Sequence, residues 1–106
     1  MQDIRKFKAG GRFVYEVEYL GRQVTPTSEI PQRILDMQTC VPGKLVVNSK
    51  FFSFIPENFC DDHYYRSFGM EDIESEKACN VHKILFITVP LKGSGEKERF
   101  YFYLHK

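Results

Sequence analysis

Residues 13–21, Phe-Val-Tyr-Glu-Val-Glu-Tyr-Leu-Gly, decide how this chain is read. Phe13, Tyr15, Val17 and Tyr19 fall on one side of an extended backbone, with Glu16 and Glu18 on the other. A period of two with a polar second face describes a half-buried strand, because successive side chains of a strand point to opposite faces. The same logic extends to the far end of the chain. There Phe100, Phe102 and Leu104 oppose Tyr101 and Tyr103, and Lys83–Val89 is apolar on both faces, as expected of a strand in the middle of a packed sheet. Pro90 and the loop Lys92-Gly93-Ser94-Gly95-Glu96 separate these two strands and predict a hairpin.

Between the ends, Gly21–Pro26 breaks the first strand. Thr27 or Ser28 followed by Pro31 signals a helix start. Ile30, Ile34 and Met37 recur at helical spacing, so a short amphipathic helix is expected over residues 30–38, stopped by Pro42 and Gly43. Lys44–Ile55 is rich in β-branched and aromatic residues around Asn48-Ser49-Lys50, which predicts a tight hairpin of Leu45–Val47 against Phe51–Ile55. A further strand is expected over Phe59–Phe68, and periodicity leaves Met70–Ala78 open between loop, strand and helical turn. The expectation is a mainly β fold with one or two short helices: six or seven antiparallel strands in a sandwich or partly open barrel.

The 106 residues suit one domain, 1–106, with 1–10 as a basic, flexible leader. Fifteen basic against fourteen acidic residues give a net charge of +1, which exerts no global pull on nucleic acid or anionic lipid. No apolar run reaches membrane-spanning length, and the charged start does not read as a signal peptide. Three cysteines, 40, 60 and 79, are an odd count that fits reduced thiols, so a cytosolic or nuclear location is expected.

The residues 13–21, ending in Tyr-Leu-Gly, resemble the opening strand of the phosphotyrosine-binding (PTB) domain, a member of the pleckstrin-homology-like superfold. Lys44–Phe54 is similar to that family's second and third strands, and Phe86-Ile87 with Phe100–Leu104 to its closing ones. The resemblance implies an adaptor module that binds a peptide of a partner protein by strand addition, with a tyrosine-containing motif as one ligand class. It places the peptide on the strand around His63–Phe68. There Arg66 would face a phosphate or carboxylate, His63 would sit beside it, and Tyr65, Phe68 and Met70 would form an apolar wall. Members also bind unphosphorylated peptides or membrane phosphoinositides. In the family a long helix follows the last strand; here the sequence stops at Lys106, so an uncovered sheet mouth and self-association are expected. The plainer reading of the same residues is that Tyr65 and Phe68 belong to the core and Arg66 is a solvated charge.

Two other readings compete. Cys60 and His63, with Cys79 and His82, form two C-x2-H pairs whose spacing resembles a structural zinc site, although Cys60 is followed by two aspartates rather than amide-donating glycines. Otherwise no cofactor is expected. Arg99–Tyr103, flanked by Lys92, Lys97 and Lys106, looks like a stacking platform for single-stranded nucleic acid. Enzyme chemistry is not expected. No phosphate-binding glycine loop occurs, Cys60 and His63 are too close in sequence to suggest a nucleophile and base, and Glu71, Asp72, Glu74 and Glu76 read as a solvated acidic face.

Overall fold

A computed structural model describes residues 13–24, 26, 29–91 and 93–105; the expected leader and the helix-start residues Thr27 and Ser28 lie outside them. The order of elements is β1 (Phe13–Val24), α1 (Gln32–Leu35), β2 (Val41–Val47), β3 (Phe51–Pro56), β4 (Arg66–Gly69), β5 (Ser75–Cys79), β6 (Ile84–Pro90) and β7 (Lys97–Leu104). The seven strands form one antiparallel sheet in the order β4-β3-β2-β1-β7-β6-β5. Its twist folds it over, so that rings far apart in that order meet: Phe52 and Phe54 each lie 5.7 Å from Phe102, and Phe68 lies 4.9 Å from Phe100. The enclosed core takes Val17 and Tyr19 of β1, alternate residues of β2, Phe52, Phe54, Leu85, Ile87, Phe100 and Phe102.

The alternation in β1 is interrupted once, beside a second core. Tyr19 pairs with Phe102 and Gly21 with Tyr101, so β1 advances two residues while β7 advances one. Such a bulge reverses which face later side chains occupy. Leu20, which alternation already turns away from Tyr19 to the outer face, joins Ile34, Ile84 and Tyr101 in a second buried cluster beneath α1, and the bulge sets Gly21 opposite Tyr101 at its edge. The Tyr-Leu-Gly triplet is thus divided between three settings. Tyr19 lies in the inner core, Leu20 lies in the outer cluster, and Gly21 takes φ 121°, a backbone only glycine adopts freely.

Three expectations need correction. The helix is a single turn rather than residues 30–38, because Met37 turns left-handed at φ 53°. Pro42 and Gly43 do not stop it; they lie inside β2. Phe59–Phe68 is not one strand: Phe59–Tyr64 is a 3-10 segment, and pairing with β3 begins only at Arg66. The open segment after Met70 resolves into a 3-10 turn, Met70–Asp72, followed by β5. The both-faces-apolar strand is β6, between β5 and β7, with Leu85 and Ile87 in the inner core and Ile84 and Phe86 in the outer cluster.

Candidate functional site

A sheet that does not close has two edges, and here they are β4 and β5. Edges carry unpaired backbone donors and acceptors, the basis of recognition by strand addition. The register of β4 shows which groups are free. The Met70 amide donates to the Lys50 carbonyl at 2.8 Å, and Phe68 and Arg66 lie opposite Phe52 and Phe54. In an antiparallel ladder, hydrogen-bonded pairs alternate with pairs whose N–H and C=O point away. Met70, Phe68 and Arg66 therefore bond to β3, while Ser67 and the Gly69 N–H face the open side; the Gly69 carbonyl caps the Met70–Asp72 turn.

Among the described residues of β4, no bulky side chain stands at the outward positions. The Ser67 hydroxyl is tied to Ser53 at 2.8 Å, Gly69 has no side chain, and Arg66 is folded back, its Nη1 donating to the carbonyls of His63 at 3.0 Å and Tyr65 at 2.9 Å. The β5 edge differs. It carries Glu76 and the exposed Lys77 in mid-strand, and charged edge residues, lysine above all, discourage pairing.

The residues expected to bind peptide do gather around β4, but on different sides of it. His63 is exposed, its ring 4.0 Å from that of Tyr64; Tyr65 is half-exposed; and Arg66 opens the strand. Phe68 packs on the inner core, and Met70 is only 4% exposed within it. Met70 thus leaves the expected apolar wall, because residues 66, 68 and 70 share the inward face of β4. Below them, burial pushes the Tyr19 hydroxyl above the usual tyrosine range, an effect partly offset by the positive charges of Arg66 and Arg22.

The sequence matches no protein-family model and no curated protein. The site therefore stands on its geometry.

That geometry does not assemble the zinc pattern. Cys60 and His63 lie in the 3-10 segment leading into β4, whereas Cys79 ends β5 and His82 follows it in the turn to β6. The spacer between the pairs forms β4 and β5, which occupy opposite edges of the sheet. Among the described residues no group of three or more His, Cys, Asp or Glu could hold a metal ion. The stacking platform is likewise missing from the surface. Phe100 and Phe102 are in the inner core, and Tyr101, fully buried in the outer cluster, donates its hydroxyl to Gln23 at 2.8 Å.

Two features were not anticipated from sequence. Glu18 bridges the Cys40 thiol and His105, the latter at 3.0 Å. Partial burial and then the Glu18 carboxylate push the thiol up to about 11, so Cys40 stays protonated and is a poor nucleophile near neutral pH. A cleft of about 700 Å³ opens at the Val14 end of β1, lined by Val14, Tyr15, Lys83, Leu104 and His105. It exists because β7 pairs with β1 only from Val17 onward. Alternation marked Glu18 as outward-facing, but its partners, from the loop before β2 and from just beyond β7, carry no signal in sequence. No helix among the described residues is long and apolar enough to cross a membrane.

Proposed function

We propose that this domain is a protein-interaction module that captures an extended peptide of a partner protein by adding it to the β4 edge. The observation carrying this reading is the pair Ser67 and Gly69, whose backbone donors, with the Ser67 carbonyl, face outward from an edge that has no charged side chain at either of these two positions. A guest strand would bond to these groups, and the exposed His63 and Tyr65 would flank one of its ends. Arg66 supplies positive charge there, although one of its nitrogens is held by two carbonyls. The resemblance to PTB domains leads to the same mode of binding, with a tyrosine-containing peptide as one ligand class. The thiols of Cys40, Cys60 and Cys79 are free, which suits a reducing compartment such as the cytosol.

The test is a displayed peptide library, with phosphorylated and unphosphorylated tyrosine motifs, screened against the wild type and Gly69→Pro. Gly69 has φ −65°, the value proline imposes, and its N–H is not part of the ladder to β3, so the substitution removes an edge donor while sparing the fold. Captured peptides should bind the variant about tenfold more weakly, the worth of roughly one hydrogen bond with its register. A library that yields no ligand, or ligands indifferent to Gly69→Pro, refutes the assignment.

A further inference from the structure

The β4 edge is complementary to itself. Ser67 offers one outward N–H and one outward C=O. Gly69 offers an outward N–H and a C=O that, as the N-cap carbonyl of the Met70–Asp72 turn, already accepts one bond and keeps its second lone pair for a partner. Phe68 lies midway between the two residues. Consider two copies related by a two-fold axis passing beside Phe68. Antiparallel pairing then sets Ser67 of one copy against Gly69 of the other, and Gly69 against Ser67. Each of these two pairs exchanges both of its bonds, so every outward group is matched. An off-centre register would strand some of them.

Charge does not oppose the pairing. Arg66, at the N-terminal end of the edge, shares the inward face with Phe68 and Met70, whereas the Asp72 carboxylate lies on the outward face beside Gly69, 3.1 Å from where a Cβ would stand. The paired positions Ser67, Phe68 and Gly69 carry no charge, so the centred register sets no like charges opposite one another. The β5 edge, by contrast, carries Glu76 and Lys77 in mid-strand.

We infer that β4 pairs antiparallel with β4 of a second copy of this chain, centred on Phe68, and that this pairing occludes the edge that would receive a guest peptide. The regulatory consequence rests on the proposed function; the pairing itself rests only on the edge. Four strand residues give far less contact than the roughly 1,200–2,000 Å² of stable interfaces, so the dimer is weak and concentration-dependent.

Light scattering on chromatographic fractions tests this over a dilution series of wild type, Gly69→Ala and Gly69→Pro. Gly69→Ala keeps the edge donor and adds the same first carbon that proline adds. The weight-average mass of wild type and Gly69→Ala should climb from one chain toward two as concentration rises, while Gly69→Pro should remain at one chain throughout. Hydrogen exchange of the wild type supplies a readout that needs no variant: the Ser67 and Gly69 amides should gain protection with concentration, and the Phe68 and Met70 amides should not. A wild type of one-chain mass at every concentration, or amides at 67 and 69 indifferent to concentration, overturns the inference. Association that survives in folded Gly69→Pro also overturns it, since another surface would then be responsible. Peptide capture by dilute wild type is read separately. Capture without self-association would leave the proposed function standing alone, and self-association without capture would leave only the pairing.

Discussion

Replacing Gly21 by alanine tests the bulge that separates the two cores. Gly21 sits at φ 121°, outside even the left-handed region that other residues occasionally visit, and forcing an L-residue there costs roughly 1–3 kcal/mol. Space adds a second term. The new Cβ would stand 3.3 Å from Arg33 Nη1 and 3.3 Å from Ile34 Cδ1, so the tip of each side chain must give. Arg33 is not free to move without loss, because its Nη2 donates to the Arg22 carbonyl at 2.5 Å; losing that bond costs about 0.5–1.5 kcal/mol. Together these amount to about 2–4 kcal/mol, a large share of the roughly 5–15 kcal/mol that holds a domain folded. For a chain of this length each kcal/mol moves Tm by about 4–8 °C, so Gly21→Ala should melt about 10–25 °C lower. Gly93→Ala is the internal reference: φ is 84° there, but a Cβ would meet nothing within 4 Å, so it reports backbone strain alone. Urea and thermal unfolding of both variants give the comparison. If Gly21→Ala costs no more than Gly93→Ala, the close seating of α1 on the bulge is wrong.

Ile34→Ala, at a fully buried position, should cost about 2–5 kcal/mol by urea titration, because one helical turn has no stability apart from that contact. Arg22→Met should destabilise the domain by about 2–4 kcal/mol and Glu98→Gln by less, since removing Arg22 strands a carboxylate whose side chain is only 10% exposed. The exposed Glu16–Lys44 pair should behave differently: Lys44→Met should scarcely change stability at neutral pH, with any loss abolished in about 1 M salt, where the screening length is about 3 Å. Lys44 holds the Glu16 carboxyl below its ordinary 4.5, so that contribution is present above 4.5 and lost as pH falls through the lowered value. Glu16 raises Lys44 above 10.5, so the complementary contribution is present below 10.5 and lost as pH climbs. Alkylation of Cys40 should still be accelerating at pH 10, with a midpoint of about 11, and Glu18→Gln should lower that midpoint; the associated stability is complete below 9.0 and lost between 9.0 and about 11.

The strands were readable where a single periodicity governs a whole element. Phe13–Tyr19 alternates because one face of β1 meets the core, and Ile84–Val89 is apolar throughout because β6 is covered on both sides. Leu20 was readable as outward by the same alternation, but not as buried. Its cover comes from α1 and from Ile84 and Tyr101, and the bulge beside it is set by pairing with β7, some eighty residues away in sequence. The 3-10 segment Phe59–Tyr64 was misread as strand because its aromatic content suits a strand, yet Phe59 is 90% exposed and anchors nothing. The site was legible only in part for a related reason. That His63, Tyr65, Arg66, Phe68 and Met70 lie near one another follows from their adjacency in sequence, but which of them face the core depends on the phase of β4, and that phase is set by its bonds to β3.

Edges are where a sheet declares what it will accept, and the two edges here are treated unequally. A sheet under pressure only to stay soluble would guard both with charge, as β5 is guarded by Glu76 and Lys77. On β4 the single cation is folded onto neighbouring carbonyls and the two outward positions are serine and glycine. If that open edge serves a guest, self-pairing must be weak enough to yield to it, and mass action then fixes the expected behaviour. Apparent affinity for a captured peptide should fall as protein concentration rises in the wild type and in Gly69→Ala, and stay constant in Gly69→Pro, whose intrinsic affinity is lower but whose edge is never occupied by a second copy. Wild-type affinity that is independent of protein concentration, in a sample shown to self-associate, would mean that guest and second copy use different surfaces.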